Sequence, residues 1–364
     1  MNKMKLGDIL EIQPKSKRKA GEGIINGKYP FYTCSNELTK SINTADYEGD
    51  ALIMGTGGMA SIHYEKGKFS TSTDCLVYKS NKNVNLSLIN KYLRTNIYLL
   101  ENGFKGAGLR HISRDYISNI TIPLPERNLQ DKIVTELDLI EKTITNHNDV
   151  LKKYDTLIKS RFIEMFGDPV QNPMGWEVKK LGDICTKISD GVHAKPEYTA
   201  TGKPFISVVN INSGKLLFDD CKYVSEEAYE KMIKSTHPEK GDILYTKVGA
   251  TYGIPALVDT DRAFCLYVSV ALLKPKSEIV NSQFLTTSMA QPYIKNQADK
   301  RIKGIGVPDL HLNQIREFEV LVPPLELQNH FNSFVQQIDK SKFEIWRYLK
   351  FSDIMNKIGF ILYD

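Results

Sequence analysis

The sequence lacks the motifs of several enzyme classes that act on nucleic acids or nucleotides. It contains no Asn/Asp-Pro-Pro-aromatic tetrapeptide of an adenine methyltransferase and no Walker A lysine motif. A Pro-Asp…Glu-x-Lys nuclease site is also missing, since no Glu-x-Lys accompanies Pro308-Asp309. The seven histidines show neither HExxH nor another ligand spacing, so we expect no bound metal. These absences predict a chain without catalysis of its own.

One glycine-rich stretch matches the pattern of a cofactor-binding loop. Residues 55–60 read Gly-Thr-Gly-Gly-Met-Ala and match the GxGxxA pattern of dinucleotide and S-adenosylmethionine loops. Such a loop needs a helix behind it, and the following segment is short and interrupted by Gly67. The stretch is therefore predicted to be a sharp loop between two strands.

Cysteines and long apolar runs are scarce as well. The five cysteines are scattered and odd in number, and no CxxC occurs, which argues against a zinc site or a disulfide framework. No apolar run approaches 18 residues and no leader peptide is apparent, so we expect a cytoplasmic protein without membrane contact. The net charge of +5 permits a polyanionic partner without requiring one.

An internal repeat is the strongest positive signal in the chain. Lys-Leu-Gly-Asp-Ile occurs at residues 5–9 and again at residues 180–184. From Gly106 onward the offset is constant at 198 positions (304 − 106), and it relates Leu129-Gln130 to Leu327-Gln328. The chain is thus predicted to be two copies of one unit, each a globular head followed by a long helix. Periods of this length indicate tandem duplication rather than a solenoid.

The long helices set the predicted domain boundaries. Apolar residues between positions 126 and 166 recur mostly every three or four residues, which places one apolar stripe along a helix roughly 60 Å long. Prolines precede the segment, and Gly167 and Pro169 follow it. We expect head one at residues 1–125, the central helix at 126–168, head two at 169–323 and the C-terminal helix at 324–364.

The two helices are expected to pack on each other as an antiparallel coiled coil, because their lengths are equal and both carry an apolar stripe. The heads show short apolar segments between polar loops, which indicates mixed α/β structure. Residues 205–209, for example, are expected to form a strand, and residues 86–100 and 282–295 are expected to form helices. The predicted fold class is therefore α/β (α+β), with two heads joined by paired helices in a pseudo-two-fold tandem repeat. The residues predicted to form the helix packing are Leu129, Ile133, Leu137, Ile140, Ile144, Leu151, Ile158, Leu327, Phe331, Val335, Ile338, Ile345 and Leu349.

Loops rich in small, polar and basic residues occupy equivalent places in both heads. In head one they span residues 33–36, 55–58, 70–74 and 105–113, and in head two residues 189–195, 209–215, 246–252 and 301–311. Ser, Thr, Asn, Arg and Lys are the side chains that reach phosphates and base edges. Duplicated heads on a helical spacer suit a periodic partner, and DNA repeats its major-groove face about every 34 Å.

The chain resembles the specificity (S) subunits of type I restriction–modification systems. The resemblance rests on the paired Lys-Leu-Gly-Asp-Ile openings and on Phe-Gly-Asp-Pro at residues 166–169, followed by Asn-Pro-Met-Gly-Trp at residues 172–176. It also rests on Ser-Asp-Gly-Val-His at residues 189–193. Head one departs from this pattern, because it has Gln-Pro-Lys-Ser at residues 13–16 in place of the Asp-Gly-x-His loop.

The resemblance implies a role in DNA recognition. Each head would be a target recognition domain that reads one half of a bipartite, asymmetric site in double-stranded DNA. The helices would set the length of the unread spacer. The chain would bind no cofactor and would dock two methyltransferase subunits that use S-adenosylmethionine, together with restriction subunits that use ATP and magnesium.

Twelve residues of the polar loops are the predicted DNA contacts. They are Asn36, Thr56, Lys105, Arg110, His193, Lys195, Asn210, Asn212, Lys247, Thr251, Tyr252 and Lys303. Two other interpretations stay open at this point. One is the recognition subunit of a related system that only methylates or uses another nuclease. The other is a scaffold whose two heads are adaptors that bind protein.

Overall fold

The computed structural model describes residues 2–302 and 306–361, with side chains up to Leu349. The chain divides into two units. Unit one contains residues 2–149 and the chain from Trp346 onward, and unit two contains residues 150–345. Both long helices contribute to both units. Among the described residues, no helix combines the length and hydropathy needed to cross a membrane.

Unit one is built on a four-stranded antiparallel sheet of order β2-β9-β6-β7 and a second sheet of order β4-β3-β8-β5. Its strands are β1 (Asn2–Lys5), β2 (Leu10–Ile12), β3 (Tyr29–Tyr32), β4 (Ser41–Ile42), β5 (Tyr47–Glu48), β6 (Ala51–Gly55), β7 (Ser61–Glu65), β8 (Lys68–Thr71), β9 (Cys75–Ser80), β10 (Phe104–Lys105), β11 (His111–Ile112) and β12 (Thr121–Leu124). Its helices are α1 (Leu86–Thr95), α2 (Tyr98–Glu101), α3 (Arg114–Asn119) and the first part of α4 (Arg127–Phe166).

Unit two has a four-stranded sheet of order β14-β20-β17-β18 and a three-stranded sheet of order β16-β15-β19. Its strands are β13 (Glu177–Lys180), β14 (Cys185–Asp190), β15 (Lys203–Ile206), β16 (Lys222–Val224), β17 (Ile243–Thr246), β18 (Pro255–Leu257), β19 (Cys265–Leu266), β20 (Val270–Pro275) and β21 (Glu319–Val322). Its helices are α5 (Leu181–Ile184), α6 (Glu226–Ile233), α7 (Ser282–Met289), α8 (Pro292–Arg301), α9 (Leu312–Arg316) and the first part of α10 (Leu325–Ile361).

The two units repeat the same strand pairing, which confirms the predicted fold class. β1 pairs with β12 and β13 pairs with β21, both antiparallel. Parallel pairing occurs between β3 and β8 and again between β15 and β19. The central sheets correspond strand for strand. The chain is therefore a tandem repeat of mixed α/β heads with long helices.

The repeated Leu-Gln motif has a structural role that is the same in both units. The Oε1 atom of Gln130 accepts a hydrogen bond from Asn85 N at 2.8 Å, and its Nε2 atom donates to Pro125 O at 2.7 Å. Gln328 makes the same pair of bonds with Asn281 N and Pro323 O. The two asparagines are the N-caps of α1 and α7. Each glutamine thus joins the start of a long helix to the start of its head's helix.

Contacts within each unit show that the long helices run antiparallel. In unit two, Phe162 packs edge-on against Phe331 and Lys342 Nζ lies 2.5 Å from Asp155 Oδ1. In unit one, the rings of His147 and Tyr348 are 5.5 Å apart. Residues later in α4 therefore meet residues earlier in α10. The helix α4 ends at Phe166, where Gly167 adopts a φ of +78° that favours glycine.

The apolar residues of the two helices differ in their surroundings. Ile133 and Leu137 are buried against Leu88 of α1. The early part of α10 enters the core of head two, where Phe331 and Val335 are buried. Ile140, Ile144, Leu151, Ile158, Leu327, Ile345 and Leu349 are partly exposed, and Ile338 is buried. Leu129 was predicted to pack between the helices but is 41% exposed, because Gln130 occupies the buried side of this helical turn.

Three predicted elements have different bounds in the structure. The helix expected at residues 86–100 ends at Thr95 and resumes as the short α2. The helix expected at residues 282–295 is two helices, because Pro292 begins α8 and cannot continue the hydrogen bonding of α7. The strand expected at residues 205–209 ends at Ile206, and the chain then forms a 3-10 turn at Val208–Asn210.

Candidate nucleic-acid interface

Three predicted contacts of head one lie on one edge of its sheet, which we call edge one. The loop between β6 and β7 forms a bridge from Gly57 to His111, and Gly58 N donates to Arg110 O at 3.0 Å. Lys105 pairs with His111 across the short β10–β11 hairpin. Because β6 and β7 are antiparallel neighbours, the glycine motif is an inter-strand loop, as predicted. Edge one thus brings Thr56, Lys105 and Arg110 together.

The carbonyl of Asp74 organises the other side of edge one. It accepts hydrogen bonds from Thr56 N and Thr56 Oγ1, both at 2.8 Å, and from Cys34 Sγ at 3.0 Å. Asn36 lies two residues beyond Cys34 in an exposed loop. The Thr56 hydroxyl proton is therefore used within the protein, whereas Lys105, Arg110 and Asn36 are exposed.

Head two has the equivalent edge, which we call edge two. An isolated bridge joins Val248 to Asp309, and Gly249 N donates to Pro308 O at 2.9 Å. Asp309 is the repeat equivalent of His111, since 309 − 111 = 198, so both heads form the same bridge. The nearby loop of residues 189–195 requires glycine at position 191, because a Cβ added to Gly191 would lie 2.0 Å from Leu266 O.

Lys247 occupies the centre of edge two but is not exposed. Its side chain is only 6% accessible, and Nζ lies 3.4 Å from Asp190 Oδ2 and 3.5 Å from Asp309 Oδ1. The backbone of Lys247 is also engaged, since its N donates to Ser269 O and its O accepts from Leu310 N. A lysine held in this way joins three loops of the edge. It is a positioning residue in this structure, rather than a cation presented to solvent.

Tyr252 is similarly engaged within the protein. Its hydroxyl donates to Asp299 Oδ1, and Lys295 Nζ lies 3.5 Å from the centroid of its ring. Hydrogen bonds from Lys295 and from Tyr252 hold the pKa of Asp299 below its usual value. Thr251, the neighbouring residue, is exposed. Tyr252 therefore anchors the loop of residues 246–252 to α8, whereas the neighbouring Thr251 side chain reaches solvent.

The remaining predicted contacts of head two differ in exposure. His193 is 77% exposed, with Nε2 3.5 Å from Asp190 Oδ1. Lys195 and Asn212 are exposed. Asn210 is buried, with 4% exposure, and its Oδ1 accepts from Ser207 N at 3.0 Å. The predicted contact Lys303 lies outside the described residues.

Sequence reasoning missed several residues that shape the two edges. Asp190, Asp299 and Asp309 hold the basic and aromatic side chains of edge two. Asp190 belongs to the Ser-Asp-Gly-Val-His motif, which was the available signal for it. In head one, the Cys75 thiol lowers the pKa of Cys34 by hydrogen bonding to it, although burial opposes the shift. All five cysteines are free thiols.

A family model described as the type I restriction modification DNA specificity domain matches residues 1–153 and 173–350. These two matches follow the internal repeat and cover most of the chain. The chain belongs to this family. As a type I specificity subunit, it carries one copy of the specificity domain in each half, and each copy contains one of the two edges described above.

Individual relatives agree with the assignment. The chain is 24% identical to the MjaVIII specificity subunit of Methanocaldococcus jannaschii over 370 residues, covering 92% of this chain and 85% of that one. It is 28% identical to a putative type I specificity subunit of Mycoplasma pneumoniae, covering 89% and 85%. The fold is similar to the crystal structure of a type I S subunit from M. genitalium, with a TM-score of 0.66, 13% identity and coverage of 99% and 94%.

Proposed function

We propose that this specificity subunit reads a bipartite, asymmetric site in double-stranded DNA, with one half-site read by each head. The proposal rests on the observation that edge one and edge two are equivalent. Each head uses the same bridge to bring a strand-connecting loop beside a second polar loop. Two different side-chain sets on the same framework suit two different half-sites, because base edges are distinguished by the donors and acceptors facing them.

The exposed residues of the two edges are the proposed DNA contacts. In head one they are Asn36, Lys105 and Arg110, and in head two His193, Lys195, Asn212 and Thr251. The long flexible cations suit phosphates or guanine edges, and the asparagines suit adenine. Lys247, Tyr252 and Thr56 hold the loops in place through bonds within the protein.

The long helices are proposed to set the number of unread bases between the half-sites. We further propose that the chain binds no cofactor and catalyses nothing by itself, and that it docks two methyltransferase subunits and restriction subunits. S-adenosylmethionine, ATP and magnesium would be bound by those partners. The chain is proposed to act in the cytoplasm, where its DNA target is accessible.

Selection from a random duplex library tests the proposal. The full chain, co-purified with its methyltransferase subunits, is expected to enrich two short words separated by a fixed number of unread bases. Affinity should fall steeply with salt, because phosphate contacts release counterions. The protein-scaffold interpretation predicts no enriched word. A methylation-only system predicts the same word and no restriction subunit among the co-purifying proteins.

A further inference from the structure

Unit two contains a cavity that the proposed DNA contacts do not explain. Its volume is about 390 Å³, and it lies beside edge two, between the 3-10 turn Val208–Asn210 and the segment of residues 267–269. Val248 and Gly249 of the edge also line it. The cavity is mostly apolar and has a few polar groups, which is the usual composition of a small-molecule site.

Two buried polar side chains face this cavity without a protein partner. Asn210 is 4% exposed and Ser269 is 7% exposed, and both line the cavity. Oδ1 of Asn210 accepts from Ser207 N and Ser207 Oγ, which fixes the orientation of the amide. Within the described residues, Asn210 Nδ2 donates to no group and Ser269 Oγ has no hydrogen-bond partner. Each atom is therefore a free hydrogen-bonding group at the wall of the cavity, where a ligand can reach it.

The walls of the cavity are aromatic. Phe205 stands between two tyrosines, with its ring centroid 5.8 Å from that of Tyr198 and 5.8 Å from that of Tyr267. At the rim, Lys222 Nζ lies 4.4 Å from the centroid of Tyr198. Asp220 also lines the cavity, and its carboxylate offsets the charge of Lys222. A planar, uncharged ring that stacks on a tyrosine therefore suits the cavity.

We propose that this cavity binds a single nucleobase, stacked on a tyrosine, with its edge hydrogen-bonded to Asn210 Nδ2 and Ser269 Oγ. The amide supplies a donor and the hydroxyl supplies a donor or an acceptor, which together match the mixed edge of a base. A purely apolar ligand would leave both buried groups unsatisfied. The base belongs either to a free nucleotide or to DNA that has been locally unstacked.

Fluorescence titration of the full chain with 2-aminopurine deoxyriboside tests the site. Wild type is expected to quench the probe saturably, with a Kd on the order of 1 mM. In Asn210→Asp, the remaining Oδ1 still accepts from Ser207 N but the free donor is gone, so binding should weaken about tenfold. Ser269→Ala should weaken it by a smaller factor, and this change leaves the turn untouched.

Asn313→Asp is the matched control, because Asn313 Oδ1 also accepts from a backbone N–H, that of Gln314 at 2.9 Å, away from the cavity. This variant should bind the probe as wild type does. Circular dichroism melting of each variant checks the fold. Absence of saturable quenching by wild type would overturn the inference. Equal affinity of wild type, Asn210→Asp and Ser269→Ala would overturn it as well.

A competition experiment with the target duplex identifies the source of the base. This experiment rests on the proposed function. If the target duplex displaces the probe, and Asn210→Asp weakens duplex binding, the base comes from DNA. If the probe binds equally with and without duplex, the ligand is a free nucleotide. Saturable probe binding without any duplex binding would contradict the proposed function and leave the nucleobase site standing. Duplex binding without probe binding would support the proposed function and overturn the nucleobase site.

Discussion

Lys247→Met tests whether the central lysine of edge two positions its loops or contacts DNA. The substitution keeps the length and most of the volume of the side chain and removes the charge. It leaves Asp190, whose side chain is 14% exposed, and Asp309, which is 46% exposed, without their common partner. We therefore expect the loss of Lys247 to free the loops of Asp190 and Asp309 from its own loop.

The magnitude follows from the burial of the three groups. Removing one member of a fully buried ion pair costs about 3–5 kcal/mol. Because Asp309 is half exposed, solvent screens its part of the interaction, so we expect about 3 kcal/mol at most. For a unit of this size, that free energy lowers the melting temperature by roughly 6–12 °C.

The assay that separates the two roles is the salt dependence of DNA binding by the assembled complex. A phosphate contact contributes about 0.9 to the slope of log K against log salt concentration. If Lys247 positions the loops, Lys247→Met weakens binding at every salt concentration and leaves the slope unchanged. Lys195→Ala is the control, because Lys195 is exposed. It should reduce the slope by about 0.9 without a change in melting.

The opposite pattern would refute this reasoning. If Lys247→Met lowered the slope by about 0.9 and melted as wild type does, the lysine would contact phosphate directly. The buried pairing seen here would then not describe the DNA-bound state.

Three further predictions concern the helix junction, a thiol and the spacer. Gln328→Ala, which removes three hydrogen bonds from a fully buried side chain, should lower the free energy of unfolding by about 3 kcal/mol, measured by urea denaturation. Cys34 should be alkylated at a lower pH midpoint than an ordinary thiol, because its pKa is lowered in the fold, and Cys75→Ala should move that midpoint upward, as mass spectrometry of the labelled protein can measure. Inserting about four residues, one helical turn, near Asn146 and near Glu344 should lengthen the unread spacer and leave both half-sites unchanged in library selection, whereas altered half-sites would contradict the spacer role.

The arrangement of the fold was predictable because it depends on patterns that repeat in the sequence. Apolar spacing and the constant offset of 198 positions indicated two heads and two equal helices, and the strand pairing of the two units agrees. The Leu-Gln motif was visible as part of that repeat. Its role was not, because Asn85 and Asn281, which the two glutamines join to the long helices, lie more than forty residues away along the chain.

The candidate site was less predictable. A loop rich in polar residues reveals which side chains are available and not which of them are buried. Lys247 and Asn210 have the same residue types as the proposed DNA contacts Lys195 and Asn212, yet Asp190 and Ser207 hold them inside the head. Leu129 shows the converse, since an apolar residue at the expected helical spacing is left exposed by the burial of Gln130.

Methylation-sensitive sequencing of genomic DNA tests the central claim most directly. Cells that express this chain with its methyltransferase subunits are compared with cells that express those subunits alone. We expect methylated adenines within two different short words, separated by a constant number of unread bases, only when the chain is present. A single continuous word, or methylation that does not depend on the chain, would contradict the account.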